Sequence, residues 1–403
     1  MVSGAGQIDH MSDPPIDVPA NLRDSAPIDA NSTSKAALAR APTGHLACLD
    51  GLRGTAAMLV VITHCCGGLL RTPEMGWWLY QTPLRLITAP SGAVQIFFVL
   101  SGWVLAASLS RTSLGTGIVP YLVRRVLRIQ PPYMFGLLLA WGLSFFYVAP
   151  EAATGLNGWL RSFLPVHLEP SVLLRELLVP GVAGEQLPVG WSLFVEIVFS
   201  FWMPLMWLVT KRLHWVLLFP LLAYAYTGAE EFLTLNWSFD FVFGLVLFAE
   251  RERLARWVNV LPGVLQIALV LLGLVLFAAP TNLYKTPPEI LRVAIGCAIC
   301  LVAVLYIPWV RRIFETRPLI KLGQISYSLY LVHFPILLLV APHVTGATTP
   351  WRNLLAVLVT VVPLSLLASE LGYRLVERPS IRLGRWCSKR LNLRYFPSSP
   401  GSS

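Results

Sequence analysis

The sequence has few charged residues for its length. Asp, Glu, Lys and Arg make up 13% of its 403 residues, whereas hydrophobic residues make up 55%. An average soluble domain is about 25% charged. The mean hydropathy of +0.64 reflects the same imbalance. This composition excludes an ordinary soluble domain and predicts a chain that is solvated mainly by lipid.

Patterns that mark several functional classes are also missing. The six cysteines form none of the paired clusters that a structural zinc site needs, so no metal site is expected. Cys297 and Cys300 have the spacing of a redox motif, but apolar surroundings disfavour a thiolate. The net charge of +10 occurs as short basic clusters between apolar runs, which argues against a nucleic-acid partner and for membrane topology.

The N-terminal part of the chain has no signal peptide, because no basic segment leads into a short apolar core. Residues 1–45 are polar and rich in Asp, Ser, Pro and Ala, and we expect a disordered cytoplasmic tail there. Residues 46–385 are predicted to form one transmembrane domain. Residues 386–403 are predicted to be a cytoplasmic C-terminal tail.

Ten apolar runs approach the roughly 20 residues that a helix needs to cross a bilayer. The sequence therefore predicts an all-α fold, a polytopic membrane helix bundle of about ten transmembrane helices. The predicted spans are 46–70, 91–110, 132–149, 189–209, 213–229, 232–249, 258–279, 290–309, 325–343 and 352–375.

The distribution of Lys and Arg between alternate loops predicts the orientation of these spans. One set of loops contains thirteen basic residues: Arg111, Arg124, Arg125, Arg128, Lys211, Arg212, Arg251, Arg253, Arg256, Arg311, Arg312, Arg317 and Lys321. The opposite set contains six: Arg71, Arg85, Arg161, Arg175, Lys285 and Arg352. Because basic loops stay on the cytoplasmic side, both termini are predicted to be cytoplasmic.

Ionisable residues inside a membrane are candidates for function because burying them in lipid is costly. Arg53 and His64 lie eleven residues apart in the first span, which returns the helix to within about 20° of its starting direction after a rise of about 16 Å. Asp50 shares this face and can pair with Arg53. The alternative is an Arg that reaches the membrane surface and a hydrogen-bonded core His.

Glu196 opens the fourth span, which is predicted to run from the outer to the inner side. We therefore expect Glu196 at the depth of His64, where its carboxylate would orient the imidazole and stabilise the imidazolium. The alternative is an uncharged Glu that joins helices by hydrogen bonds.

Three further segments have two interpretations each. Arg124, Arg125 and Arg128 suit bidentate binding of phosphate, or they anchor the helix at the cytoplasmic surface. The polar run 326–335 lines a cavity or forms structural hydrogen bonds. The long outer connection, about 150–188, covers the site or lies on the membrane surface.

Six motifs in a fixed order carry a family resemblance. They are an Arg and a His separated by ten residues (Arg53, His64), FFVLSG (97–102), RRxxRI-P (124–131), WSLxVE (191–196), SYSLYLxH (326–333) and ERP (377–379). Together they resemble the acyltransferase-3 family of membrane O-acyltransferases, from about Leu46 to Arg385. Many members have an acidic residue where this chain has Gln95, so we expect no charged role at that position.

The resemblance implies the reaction and its substrates. The donor would be acyl-CoA, often acetyl-CoA, used as a co-substrate with no cofactor. The acceptor would be a hydroxyl of a sugar, a glycolipid, an envelope polysaccharide or a small natural product. The expected location is the plasma or inner membrane. A transporter, and a relay that hands acyl groups to a separate extracytoplasmic enzyme, remain alternatives.

The resemblance also implies roles for individual residues. His64 would be the catalytic base, with Arg53 as its companion. Glu196 is a third catalytic candidate, because of its expected contact with the imidazole. A covalent acyl-histidine remains open. Substrate-binding positions would be Asp50, Ser101, Arg124, Arg125, Arg128, Trp191, Tyr330 and His333.

Overall fold

The computed structural model describes residues 46–112, 117–164, 170–178, 187–213, 236–280, 286–346 and 349–395. Every regular element in these ranges is helical, which confirms the predicted all-α fold. The tail predicted over 1–45 lies outside the described residues, and so does the fifth predicted span (213–229) beyond its first position.

The helices are numbered here in chain order. They are α1 (Ala47–Leu69), α2 (Pro73–Gln81), α3 (Arg85–Thr88), α4 (Pro90–Leu109), α5 (Ile118–Ser144), α6 (Gly158–Arg161), α7 (Pro170–Leu178), α8 (Gly190–Leu213), α9 (Ser238–Ala249), α10 (Arg251–Val260), α11 (Gly263–Phe277), α12 (Pro287–Tyr306), α13 (Pro308–Phe314), α14 (Arg317–Val344), α15 (Pro350–Gly372) and α16 (Arg378–Tyr395), with a π-helical turn at Tyr373–Glu377 between the last two.

Six segments of the described chain are long and apolar enough to cross a membrane: Ala47–Leu69, Ser91–Leu109, Gly190–Thr210, Pro288–Tyr306, Arg317–Val344 and Pro350–Leu391. The predicted sixth and seventh spans correspond to the shorter apolar helices Ser238–Ala249 and Gly263–Phe277. Six apolar segments of this length indicate an integral membrane protein. The count of ten and the cytoplasmic termini stay predictions.

The third predicted span differs from the structure at its start. It was expected at 132–149, whereas α5 begins at Ile118 and continues through Pro131 and Pro132 to Ser144. The hydrophobic pattern marks only the apolar half of this helix, because the arginines and prolines interrupt the hydrophobic run. One helix therefore joins the basic segment directly to the apolar half.

The packing of α1 against α14 sets the position of the site. A Cβ atom on Gly54 would overlap the backbone of Leu322 and Gly323, and one on Gly323 would overlap the backbone of Asp50. Glycine at these two positions lets the helix backbones approach closely, as small residues do between membrane helices. Ten residues further along both helices, His64 meets His333. The two helices are therefore parallel and in constant register.

A second close contact joins α4 to α9. A Cβ atom on Gly102 would overlap the backbone of Phe241, and one on Gly244 would overlap the backbone of Val99. Phe98 and Phe241 stack with their ring centroids 5.2 Å apart. This contact holds α4 in place, so that its other face, which carries Ser101, can line the site.

Candidate active site

The first turns of α1 place two charged side chains together, as predicted. Arg53 Nη1 lies 3.6 Å from Asp50 Oδ1. Arg53 also lines a partly open space between α1, α4, α5, α8 and α14, which we call the arginine cavity. Its volume is about 70 Å³, and its lining residues are Arg53, Val94, Phe97, Phe98, Ser101, Val104, Arg125, Arg128, Ile129, Ser192, Leu193, Glu196, Ser326, Tyr327 and Tyr330.

Glu196 belongs to this cavity, and its expected pairing with His64 is wrong. Its Oε1 accepts a hydrogen bond from Arg125 Nη2 at 2.6 Å and one from Ser101 Oγ at 3.4 Å. Trp191, near the start of α8, lines one cavity together with His64, and Glu196 is five residues further along α8. That step corresponds to a rise of about 7.5 Å. The carboxylate therefore reaches a guanidinium, which stabilises a buried anion better than a neutral imidazole does.

The three arginines of α5 do not act as one cluster. Arg124 donates a hydrogen bond from Nη1 to Ser388 Oγ of α16 and is not among the residues that line the arginine cavity. Arg125 is held by Glu196. Arg128 lines the cavity and forms no hydrogen bond or ion pair with any residue that the structure describes. Arg128 is therefore the guanidinium best placed to receive an anion from outside the protein.

At the other end of α1, two histidines pair. The distance between His64 Nδ1 and His333 Nε2 is 2.8 Å. The second nitrogen of His333, Nδ1, lies 3.0 Å from the carbonyl oxygen of Leu329. His333 is 1% exposed. The sequence marked His333 as a candidate for substrate binding, but the structure buries it behind His64, so His64 is the histidine that faces open space.

His64 borders a larger space, which we call the histidine cavity. Its volume is about 750 Å³, within the range of small-molecule sites. Its lining residues are Val60, Thr63, His64, Gly67, Leu70, Tyr80, Gln81, Arg85, Val94, Asn157, Trp159, Phe163, Pro188, Val189, Trp191, Pro280, Tyr330 and Phe334. The many aromatic rings give it apolar walls around the imidazole.

Part of the long connection after α5 covers this cavity, which was one of its two interpretations. Asn157 Nδ2 donates to the carbonyl oxygen of Gly67 at 2.6 Å, which ties the connection to α1. The ring of Trp159 then lies 6.0 Å from that of His64. His167, Glu169 and Glu185 of the same connection lie outside the described residues. No sequence motif marked Asn157 or Tyr80, which line the cavity through tertiary packing alone.

The two cavities adjoin. Val94 and Tyr330 line both of them. The Tyr330 hydroxyl lies 2.7 Å from Ser192 Oγ, which fixes the ring between the two spaces. A molecule that passed this point would touch the arginines at one end and reach His64 at the other. In the described chain, no three His, Cys, Asp or Glu side chains come together as ligands for a metal ion.

Comparison with known proteins agrees with the motif order. A family model described as an acyltransferase domain, that of the acyltransferase-3 family, matches residues 46–370. Acyltransferase MdmB of Streptomyces mycarofaciens is 26% identical over 378 residues, which cover 83% of this chain and 91% of that relative. No solved structure matches the chain significantly.

The matched region contains the lining of both cavities, since these residues run from Arg53 to Phe334. It also contains five of the six motifs in full. The family that the motifs predicted is confirmed, and the chain belongs to the acyltransferase-3 family of membrane acyltransferases.

Proposed function

We propose that the protein transfers an acyl group, most simply acetyl, from acyl-CoA to a hydroxyl of an acceptor bound in the histidine cavity. The observation that carries this proposal is the junction of two unlike cavities. One is lined by the Arg128 guanidinium, which forms no ion pair with a described residue, and the other has an imidazole in a largely apolar space of about 750 Å³. A donor that carries phosphates and a neutral hydroxylated acceptor need these two environments.

The donor would enter from the arginine end. The arginine cavity, at about 70 Å³, has about a tenth of the volume of the histidine cavity. The narrow arm of CoA would therefore enter this space while its nucleotide stays outside. Arg128 and Arg53 would hold polar groups of the donor, and the ion pair of Arg125 with Glu196 would keep that wall fixed.

The acceptor would present its hydroxyl to His64. The imidazole takes the hydroxyl proton while the oxygen attacks the thioester carbonyl. The C–S bond then breaks, and the proton passes from His64 to the leaving sulfur, giving an ester and free CoA thiol. Apolar walls formed by Trp159, Phe163 and Phe334 exclude water, which would otherwise compete for the acyl group.

The test measures free CoA thiol released by purified protein from acetyl-CoA with a panel of hydroxylated acceptors. The His64→Ala variant should lose activity by about 10²–10⁴-fold, the usual contribution of a general base. His343→Ala is the matched control, because His343 is exposed near the end of α14. Full activity of folded His64→Ala would refute the proposal, and acceptor flux without CoA release would indicate a transporter instead.

A further inference from the structure

The histidine pair determines where the protons lie. The carbonyl oxygen of Leu329 can only accept, so His333 Nδ1, 3.0 Å away, must carry a proton. In a neutral imidazole the other nitrogen is then an acceptor. His333 Nε2 therefore accepts a hydrogen bond, and His64 Nδ1, 2.8 Å away, must donate it. A backbone carbonyl thus sets the proton positions on both rings.

This leaves one nitrogen of His64 without a proton. With Nδ1 protonated, Nε2 of the neutral ring has a free lone pair. His64 lines the histidine cavity, and its Nε2 forms no hydrogen bond with any residue that the structure describes. The nitrogen that can accept a proton is the one left available to a ligand.

We propose that His333 is a positioning residue that holds His64 in its Nδ1–H tautomer and so directs Nε2 at the acceptor hydroxyl. This inference rests on the proposed role of His64 as the base. His333 does not meet the substrate, because it is buried behind His64 and is not among the residues lining either cavity.

The pair also stabilises the intermediate state of the reaction. When Nε2 takes the hydroxyl proton, His64 becomes an imidazolium, and its bond from Nδ1–H to His333 becomes charge-assisted and stronger. His333 keeps its own proton on Nδ1 throughout, since Leu329 continues to accept it. In hydrolytic triads a carboxylate holds the catalytic histidine in this way. Here a neutral ring does so, without placing a second charge among the apolar helices.

Packing keeps the geometry fixed. The two rings are nearly coplanar, with 7° between their planes and 5.1 Å between their centroids. Phe334 stands edge-on to His64 at 5.2 Å between centroids. The close glycine contact of α1 with α14 fixes both backbones. A base held by its neighbours in this way needs no rearrangement when the acceptor arrives.

The first experiment needs no change to the histidine pair. Full-length protein with ¹⁵N-labelled histidine rings is examined by NMR in detergent micelles, and the His64 signals are identified by their loss in His64→Ala. The proposal expects a proton on Nδ1 and none on Nε2. The opposite tautomer would overturn it, whether or not the protein proves to be an acyltransferase.

The second experiment uses two replacements of His333. In His333→Phe, the acyl-transfer kcat should fall by about 10–100-fold, the range seen when the hydrogen-bond partner of a metal-ligating histidine is removed, while KM for acetyl-CoA changes less than twofold. In His333→Gln, the amide oxygen can accept from His64 Nδ1, so the tautomer and most of the activity should return.

Two results would contradict the positioning role. One is an unchanged kcat in folded His333→Phe. The other is a His333→Gln protein that has regained the Nδ1–H tautomer but is as slow as His333→Phe. Failure of the proposed function has a different signature, because His64→Ala would then retain its activity.

Discussion

Removing the Glu196 carboxylate leaves the Arg125 guanidinium without its ionic partner inside the helix bundle. The two side chains are 21% and 12% exposed, respectively, and their nearest N and O atoms are 2.6 Å apart. Breaking a buried pair from one side costs about 3–5 kcal/mol, because a charge remains uncompensated. Ser200 Oγ still accepts from Arg125 Nε at 3.1 Å, so we expect the lower limit, about 3 kcal/mol.

That free energy corresponds to roughly a 100-fold change in the unfolding equilibrium. The assay is titration of purified protein in mixed micelles with a denaturing detergent, followed by tryptophan fluorescence. Glu196→Ala and Arg125→Met should each be destabilised by about this amount. The double variant should lose less free energy of unfolding than the two single variants lose together, because neither charge is then left unpaired.

Two outcomes would refute this reasoning. Unchanged stability of Glu196→Ala would mean that the ion pair contributes nothing to the fold. Strict additivity in the double variant would mean that the two residues act independently. Glu196→Gln separates packing from charge, since the amide oxygen can still accept from Arg125, and we expect it to recover part of the loss.

Two further predictions concern the helix contact and the donor. Gly323→Ala should destabilise the protein by about 1–3 kcal/mol, the usual cost of overpacking, because the new Cβ atom meets the backbone of Asp50. The control is Gly142→Ala, which has open space around its Cβ atom and should be neutral or slightly stabilising in the same titration. Arg128→Met should raise KM for acetyl-CoA at least tenfold, since a charge-assisted hydrogen bond contributes about 1.5–3 kcal/mol. Arg312 is exposed, so the control variant Arg312→Met should leave KM unchanged. Equal KM values for both variants would contradict a role for Arg128 in donor binding.

The sequence predicted features that depend on one helix at a time. The pairing of Asp50 with Arg53 follows from helical geometry, and the structure confirms it. Arg53 and His64 were likewise predicted to lie at separate heights on α1, and in the structure they line two different cavities. Helical periodicity determines the face and the height of a residue on its own helix, so such predictions hold without knowledge of the neighbouring helices.

Features that depend on which helices are neighbours were not predictable in this way. Glu196 was assigned to His64 from its estimated depth alone, but α5 brings Arg125 to the Glu196 carboxylate. The residue that contacts the His64 ring is His333, which lies 269 positions away in the sequence. The close contact of Gly54 with Gly323 helps to set that register, and a glycine in an apolar helix does not identify its partner from composition.

The parallel contact of α1 and α14 also sets a length requirement for the donor. Arg53 and His64 lie on one uninterrupted helix, and their separation along it is about 16 Å. Because α14 supports this helix at both Gly54 and His64, the arginine end and the histidine end cannot move apart or together independently. In the proposed reaction, an acyl donor would therefore have to be long enough to keep its anionic group at the arginines while its carbonyl carbon reaches the imidazole. Donors with a shortened arm would satisfy only one end of the site at a time.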